Sequence, residues 1–351
     1  MTARMRAAVL HGREDVRVED VDVPEIEDGE ILLRTRVALT CGTDLKVYRR
    51  GYHARMIQPP ALFGHEVAGV VERIGRGVIG VEPGTRVVAA NSAPCGECPY
   101  CHSGSASLCD ALLFWNGAYA EFVRIPARVV LRNLLTLDPG LGFREAAMVE
   151  PLACVLRGVE ESGVAAGQTV AVIGAGPIGL MLVRLSSARG ARVIAVGRNA
   201  SRLQKARELG AEETIALQPG EDPSERLRRM GTHGHGPDVV IEAVGLPETA
   251  EAAVRAVRKG GLVNLFAGCP ADTRISIDAQ RLHYQQLTLR STFHHTPESI
   301  RGAYRLIAEG IVDPRAFITG EAPLEELPSV LERMARGGDE LKTAILAGGR
   351  E

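Results

Sequence analysis

The sequence predicts an α/β fold in which an irregular β domain is joined to a doubly wound parallel sheet. From residue 5 to about residue 130, short β-favouring runs alternate with turns rich in Gly and Pro, which is typical of a mostly antiparallel domain. From about residue 154, strand and helix patterns alternate, with about six strands in all. That alternation is typical of a parallel sheet covered by helices on both faces.

The strands of the first part are short, and the runs that predict them lie at residues 7–10, 31–37, 67–74, 86–89 and 120–124. Turn residues separate these runs at 59–60, 75–77 and 82–84. We expect an irregular, mostly antiparallel β domain.

The second part opens with a strand, a glycine-rich turn and a helix. Residues 170–173 read Val-Ala-Val-Ile, and Gly174, Gly176 and Gly179 follow in a G-x-G-x-x-G pattern that also includes Pro177 and Ile178. In a dinucleotide site the first glycine permits the turn, the second lets the backbone approach a pyrophosphate, and the third lets the helix pack on the strand. A second strand follows at residues 192–196, so the pattern predicts dinucleotide binding rather than a plain turn.

The remaining elements follow in order along the chain. We expect helices at residues 201–209, 224–230 and 249–257, and strands at 214–216, 239–241, 262–266 and 287–289. The tail predicts helices at 300–309 and 324–334 and a strand at 343–346.

Composition excludes several classes of function. The chain has 41 basic and 43 acidic residues and a net charge of −2, which offers no electrostatic footprint for nucleic acid or an anionic membrane. No apolar run approaches the roughly 20 residues of a membrane span, and the N-terminus lacks the apolar core of a signal peptide. We therefore expect a cytoplasmic protein that acts on small molecules.

Four of the seven cysteines lie close together in a loop that contains Gly and Pro: Cys95, Cys98, Cys101 and Cys109. Four thiolates at this spacing match a tetrahedral structural zinc site, which is closed to substrate and stiffens the loop. Unpaired thiols in an exposed loop are the alternative, but such soft ligands would capture zinc.

A second set of metal-binding residue types is scattered: Cys41, His65 with Glu66, and Glu150. One thiolate, one imidazole and a carboxylate leave an open coordination position, as a catalytic zinc requires. Each residue taken singly also fits a structural role, and the spacing alone does not show that they converge.

Residues 41–44 (Cys-Gly-Thr-Asp), 64–66 (Gly-His-Glu), the four-cysteine loop, residues 150–151 (Glu-Pro) and the glycine turn occur in this order along nearly the whole chain. Together they resemble the zinc-dependent medium-chain dehydrogenase/reductase superfamily, and Glu150 before a proline resembles its sorbitol (polyol) and threonine dehydrogenase branch.

The resemblance implies a GroES-like β catalytic domain at residues 1–153, a Rossmann domain at 154–292 and a return to the catalytic domain at 293–351. It implies that Cys41, His65, Glu66 and Glu150 hold one catalytic zinc beside the structural one, with the two glutamates as exchanging or water-bridged ligands. It also implies a homodimer or homotetramer and a cleft between the domains that holds the nicotinamide against the zinc.

The implied reaction is the oxidation of a secondary alcohol, polyol or sugar-like, to a ketone with NAD(P). A threonine- or amino-alcohol-type dehydrogenase, or a non-enzymatic zinc- and nucleotide-binding relative, is the alternative. In the family a residue at Thr43 relays the proton. Lys46 stands where a relay histidine is frequent, and Val47 stands where sorbitol dehydrogenases place a tyrosine.

The cofactor depends on the residues after the second strand of the Rossmann domain. NAD-specific enzymes place an acid there for the ribose 2′-OH, but this chain has Gly197 and Arg198, with Arg202 further on. A guanidinium suits a 2′-phosphate, so NADP is preferred. The alternative is that both arginines are solvated and that NAD is used. Val244 and Phe266, near the ends of later strands, are also expected to line the cofactor.

Several other residues are open to two interpretations. Trp115 lines the substrate cleft or packs in the core. His294 and His295 contact the substrate or, more often for such a position, form a polar rim between domains. Cys154 and Cys269 lie near apolar segments and are expected to be packing residues.

Overall fold

The chain folds as two units, one of them built from both ends of the sequence. The computed structural model describes residues 3–52 and 56–347. Unit 1 comprises Met1–Ala153 and His295–Glu351, and unit 2 comprises Cys154–His294.

The described residues in the N-terminal part of unit 1 form ten strands: β1 (Arg4–Gly12), β2 (Asp15–Asp22), β3 (Ile31–Leu39), β4 (Ala61–Leu62), β5 (Val67–Ile74), β6 (Arg86–Ala89), β7 (Ser92–Ala93), β8 (Leu113–Phe114), β9 (Phe122–Ile125) and β10 (Leu134–Thr136). Its helices are α1 (Gly42–Arg50), α2 (Pro99–His102), α3 (Ala127–Asn133), α4 (Phe143–Ala147) and α5 (Val149–Glu161), and the two units divide within α5.

Unit 2 contains six strands and five further helices: β11 (Thr169–Ile173), α6 (Pro177–Ala188), β12 (Arg192–Gly197), α7 (Ala200–Glu208), β13 (Ala211–Ala216), α8 (Ser224–Met230), β14 (Val239–Glu242), α9 (Pro247–Ala256), β15 (Leu262–Leu265), α10 (Ala279–Tyr284) and β16 (Thr288–Ser291). The tail of unit 1 adds α11 (Pro297–Ala308), β17 (Ile318–Pro323), α12 (Leu327–Arg336) and β18 (Lys342–Leu346).

The main sheet of unit 1 has the strand order β10-β6-β5-β3-β18-β17, with β9 also pairing β3. All its pairs are antiparallel except that of β17 with β18, so the C-terminal strand enters the sheet next to β3. Smaller sheets of β2-β1-β4 and β7-β8 accompany it. The core of this unit is built from the inward faces of these strands together with α12.

The sheet of unit 2 is entirely parallel and has the order β13-β12-β11-β14-β15-β16. Its central strand β11 is buried along its whole length, as a parallel strand covered on both faces must be. The order reverses on either side of β11, which creates a switch point at the carboxyl ends of β11 and β14. The predicted α/β class with a doubly wound parallel sheet is confirmed.

Several elements are not predicted by the sequence patterns. They are the helices α1, α2, α3, α4, α5 and α10 and the strands β2, β4, β7, β8, β10 and β17. Among residues 3–52 and 56–347, no helix has the length and apolarity that a membrane crossing needs.

Candidate functional site

The four cysteines of the 95–109 loop point their sulfur atoms at one spot. The four Sγ atoms lie within 4.8 Å of one another, with 3.9 Å between Cys95 and Cys101 and 3.6 Å between Cys98 and Cys101. A tetrahedral zinc about 2.3 Å from each sulfur requires sulfurs about 3.8 Å apart. The donors and their spacing therefore fit zinc.

Backbone N–H groups of the same loop donate to these sulfurs. The amides of Glu97 and Cys98 each lie 3.4 Å from Cys95 Sγ and lower the pKa of that thiol to about 6. Gly96, with φ +86°, makes the tight turn, and an added Cβ there would strike the guanidinium of Arg132. These donations favour the thiolate of Cys95, which is the form that binds metal, whereas burial raises the pKa of Cys101 and Cys109.

A second group lies at the end of β3 and the start of β5. One ligand atom each from Cys41, His65 and Glu66 lies within 4.8 Å of the others. His65 and Glu66 are buried, and Cys41 is partly exposed. A thiolate, an imidazole and a carboxylate that converge from two segments are a donor set suited to zinc, so these residues fit the metal that the sequence implies.

Cys41 also begins helix α1. Its Sγ accepts from the amide of Thr43 at 3.4 Å, while its own amide donates to Asp44 Oδ2 at 2.9 Å, which completes a capping box. The helix start therefore fixes the thiol and places Thr43 beside it. Asp44 is thus part of the cap of α1.

Asp44 ties His65 to the rest of unit 1. Its Oδ1 lies 3.1 Å from His65 Nδ1, and its Oδ2 accepts from the hydroxyl of Tyr119 at 2.7 Å. Tyr119 also donates to the carbonyl of Leu39, and the three side chains are buried. A carboxylate on Nδ1 fixes the imidazole tautomer and leaves Nε2 as the ligand atom.

Glu66 is paired with a lysine from the last strand. Lys342 Nζ lies 2.9 Å from Glu66 Oε1 and 2.7 Å from Oε2, and it donates to the carbonyl of Thr40 at 2.7 Å. Both side chains of this ion pair are buried. Strand β18 lies next to β3 in the sheet and thereby brings Lys342 to the site.

Burial and neighbouring charges shift the pKa values of the group. Burial raises the pKa of the Cys41 thiol, but the hydrogen bond with His65 and the charges of His65 and Lys342 lower it to about 7 overall. Burial lowers the pKa of His65, yet the charge and hydrogen bond of Asp44 raise it above its ordinary value. Burial raises the pKa of Glu66 although Lys342 opposes the shift.

Glu150 lies near this group but outside the set of three ligand atoms. It is the second residue of α5 and is buried, which raises its pKa to about 7. His295 Nε2 lies 3.8 Å from Glu150 Oε1, 2.9 Å from Asn91 Oδ1 and 3.4 Å from Ser92 Oγ. His295 is buried, and these three partners all belong to unit 1.

The glycine turn of unit 2 has the geometry that its three roles require. Gly174 has φ +113°, and a Cβ on Gly179 would lie 1.7 Å from the carbonyl oxygen of Gly174. A Cβ on Gly176, by contrast, would meet nothing within 4 Å. Gly176 is the N-cap residue of α6, whose first residues are Pro177 and Ile178, so open space lies before the helix N-terminus, the position that dinucleotide sites in general use for a pyrophosphate.

The residues after β12 include no acid. Arg198 is exposed, Arg202 is half-buried, and the side chain of Asn199 caps α7 by accepting from the amide of Arg202 at 2.9 Å. Val244 lies over the turn, since its Cγ2 would be 2.9 Å from a Cβ on Gly174. The ring of Phe266 packs against Gly158 of α5.

The other residues discussed from the sequence differ in how deeply they are buried. Trp115 lies in the core of unit 1 and donates from Nε1 to the carbonyl of Ala90 at 2.7 Å, and Val47 lies in the same core. Lys46 is exposed on α1. The expected packing role of Cys269 is wrong, because this residue is exposed in the loop after β15, whereas Cys154 is partly buried.

Sequence reasoning missed Lys342, Tyr119 and the partners of His295. A charged residue at the start of an otherwise apolar strand is the one signal for Lys342, which stands before Thr-Ala-Ile-Leu. Tyr119 carries no such signal, because its hydroxyl is matched to Asp44 only by the fold.

Two family profiles match the chain. Residues 27–134 match the alcohol dehydrogenase GroES-like domain, and residues 177–309 match the zinc-binding dehydrogenase profile. The L-threonine 3-dehydrogenase of Bacillus subtilis is 34% identical over 91% of this chain and 91% of its own. The chain belongs to the zinc-dependent medium-chain dehydrogenase family. The predicted superfamily is thereby confirmed.

Further relatives agree with this assignment. The sorbitol dehydrogenase of Bacillus subtilis is 28% identical over 94% of this chain and 93% of its own. A structure from Sinorhizobium meliloti, described as a zinc-binding dehydrogenase bound to NADP, has a TM-score of 0.89 and 30% identity over 98% of this chain and 100% of its own. The chain is accordingly an alcohol oxidoreductase of this family, and the non-enzymatic alternative is not favoured.

Proposed function

We propose that the chain oxidises a secondary alcohol, polyol or sugar-like, to the ketone with NADP, and that it catalyses the reverse reduction. The observation that carries the proposal is the convergence of Cys41, His65 and Glu66 within 4.8 Å. Cys41 and His65 would hold the catalytic zinc, with Glu66 and Glu150 as exchanging or water-bridged ligands, and the 95–109 loop would hold the structural one. Zinc at such a site would act as a Lewis acid and lower the pKa of a bound hydroxyl.

The residues around the site each contribute to binding or to proton movement. Asp44 keeps the proton of His65 on Nδ1, so that Nε2 stays available as a ligand. Thr43, held beside Cys41 at the start of α1, would accept the alcohol proton on its hydroxyl oxygen while donating its own hydroxyl proton towards solvent. The polyol preference is supported by the likeness to a sorbitol dehydrogenase.

Unit 2 is proposed to bind the nucleotide at its glycine turn. The pyrophosphate would lie against Gly176 and the amides at the start of α6, with Val244 and Phe266 lining the cofactor. Arg198 and Arg202 would pair with the 2′-phosphate of NADP. The side chain of Asn199 is used to cap α7, which leaves the arginines as the groups that distinguish the two cofactors. NADP in the Sinorhizobium meliloti neighbour supports the same choice.

The test is reduced-nicotinamide absorbance with zinc-loaded protein, NADP+ or NAD+, and a panel of polyols, sugars, simple secondary alcohols and threonine. We expect turnover of a polyol, faster with NADP+. Arg198→Ser should raise KM for NADP+ by roughly 10-fold to 100-fold, because charge-assisted contacts contribute about 1.5–3 kcal/mol, and should leave KM for NAD+ unchanged.

Arg207→Ser is the matched control, since Arg207 lies on α7, the helix that follows Arg198, and donates to Thr214. Faster turnover with NAD+ would overturn the role of the two arginines. The absence of turnover with every polyol and sugar would overturn the proposal that the substrate is a polyol or sugar-like alcohol.

The chain is also proposed to form a homodimer or homotetramer. Strand β16 stands at one end of the sheet order in unit 2, and such a strand presents backbone groups that can pair with a second copy. Nearby, Tyr284 is 76% exposed. Light scattering that gives the mass of a single chain would contradict this proposal.

A further inference from the structure

Lys342 is a fully buried lysine whose ammonium touches a proposed metal ligand. Its exposure is 2%, and that of Glu66 is 0%. Nζ lies within 2.9 Å of both carboxylate oxygens of Glu66, and its other partner is the carbonyl of Thr40. A buried ammonium requires an opposite charge beside it, and the carboxylate of Glu66 provides that charge for Lys342.

The same carboxylate lies among the metal-binding residues. A Glu66 oxygen is within 4.8 Å of the ligand atoms of Cys41 and His65. Glu66 therefore stands between two cations, the ammonium of Lys342 and a metal bound by Cys41 and His65. The ammonium and the metal therefore compete for the negative charge of this carboxylate.

The charges around the metal indicate how the ammonium of Lys342 affects the binding of Glu66 to the metal. Cys41, Glu66, Glu150 and Asp44 place four negative charges around a divalent metal, so the group is net negative and the ammonium of Lys342 offsets part of that charge. Removal of the ammonium leaves a buried carboxylate whose nearest remaining cation is the metal. In a buried site such an uncompensated charge is costly, and direct ligation relieves the cost.

We infer that Lys342 is a positioning residue that holds Glu66 back from the catalytic metal and so keeps one coordination position open for the alcohol. This inference rests on the proposed function. It adds to it a specific task for a residue that is far from the site in sequence, and it makes the C-terminal strand β18 part of the site.

The test uses Lys342→Met and Lys342→Gln in the full-length protein. In both variants we expect zinc to leave for a chelator at least about tenfold more slowly, because Glu66 becomes a permanent ligand. Cobalt-loaded protein should show a changed d–d absorption spectrum. The four-cysteine loop is identical in the variant and the parent, so their difference spectrum reports the catalytic site. Lys342→Gln keeps a donor for Thr40 and Glu66 and carries the test if the methionine variant does not fold.

Three further variants make the outcome specific. Lys342→Arg keeps the charge and should keep the parent spectrum. Lys342→Met combined with Glu66→Gln should return zinc release to the parent rate, because the freed carboxylate is gone. Arg258→Met removes an ion pair with Asp238 in unit 2 and should leave the cobalt spectrum unchanged.

Unchanged zinc release and an unchanged cobalt spectrum in both neutral variants would overturn the inference. Failure of the proposed function would look different. In that case Cys41→Ala would bind as much zinc per chain as the parent protein.

Discussion

At the scale of single residues, Asp44 connects three parts of the candidate metal site. It accepts from the amide of Cys41 and from the hydroxyl of Tyr119, and it faces Nδ1 of His65. One buried carboxylate thus fixes the start of α1 and the orientation of a ligand imidazole. The sequence shows Asp44 only as part of a short motif.

Asp44→Asn should therefore weaken zinc binding without unfolding the chain. The asparagine keeps an oxygen for the amide of Cys41 but removes the charge that holds His65, and such changes next to ligands reduce metal affinity by about 10-fold to 100-fold. Chelator competition measures the affinity, and circular dichroism checks the fold.

Asp15→Asn provides the control, because Asp15 pairs with Arg17 on the surface away from the ligand residues. Equal zinc affinity in the Asp44 variant and the control would show that Asp44 only supports the local fold.

At the scale of elements, the glycine turn between β11 and α6 allows two roles to be separated. Gly179→Ala places a Cβ 1.7 Å from a backbone oxygen, so the helix must move away from the strand. We expect a loss of about 1–3 kcal/mol in the free energy of unfolding, as for other overpacked sites. Urea denaturation measures this loss.

Gly176→Ala is the matched variant, because its Cβ meets nothing within 4 Å. Stability should stay near that of the parent protein, while NADP+ affinity should fall at least about tenfold because the methyl group occupies the space of the pyrophosphate. Calorimetric titration measures the affinity. Unimpaired NADP+ binding by this variant would show that the nucleotide does not lie against Gly176.

The elements also show what local patterns predict and what they omit. The parallel strands of unit 2 are continuous buried runs bounded by turns, so their sequence predicts them well. Helix α1 is missed because its cap is a cysteine, whereas Ser, Thr, Asp and Asn are the usual signals. Strand β17 is missed because Gly, Glu, Ala and Pro in Ile-Thr-Gly-Glu-Ala-Pro are poor strand formers, although less exposed and exposed positions alternate along it.

Long-range pairs are beyond any local pattern. The motif residues Cys41, His65 and Glu66 are found from the sequence, and their convergence requires β3 and β5 to pair, as they do. Lys342 joins them from a strand 276 positions away, which only the pairing of β18 with β3 explains. The metal-binding residue types can thus be found from short sequence motifs. The cation that pairs with Glu66 can be found only from the strand pairing.

At the scale of the whole molecule, the two units have separate hydrophobic cores, and one fluorophore reports on one of them. Trp115 is the only tryptophan of the chain and belongs to the hydrophobic core of unit 1. The four-cysteine loop belongs to the same unit. The core of unit 2 is built from its own strands and helices. Tryptophan fluorescence therefore follows unit 1, and hydrogen exchange of β11 to β16 follows unit 2.

Removal of zinc by a strong chelator should lower the thermal midpoint seen by Trp115 fluorescence by at least about 5 °C, because the 95–109 loop owes its structure to the metal. Amide protection in β11 to β16 should change much less, and NADP+ should still increase it. Restored zinc should return the fluorescence midpoint. Cys98→Ser should reproduce the effect of the chelator, whereas Cys269→Ser, which alters an exposed thiol in unit 2, should not. An equal loss of protection in both units would contradict a metal effect confined to unit 1.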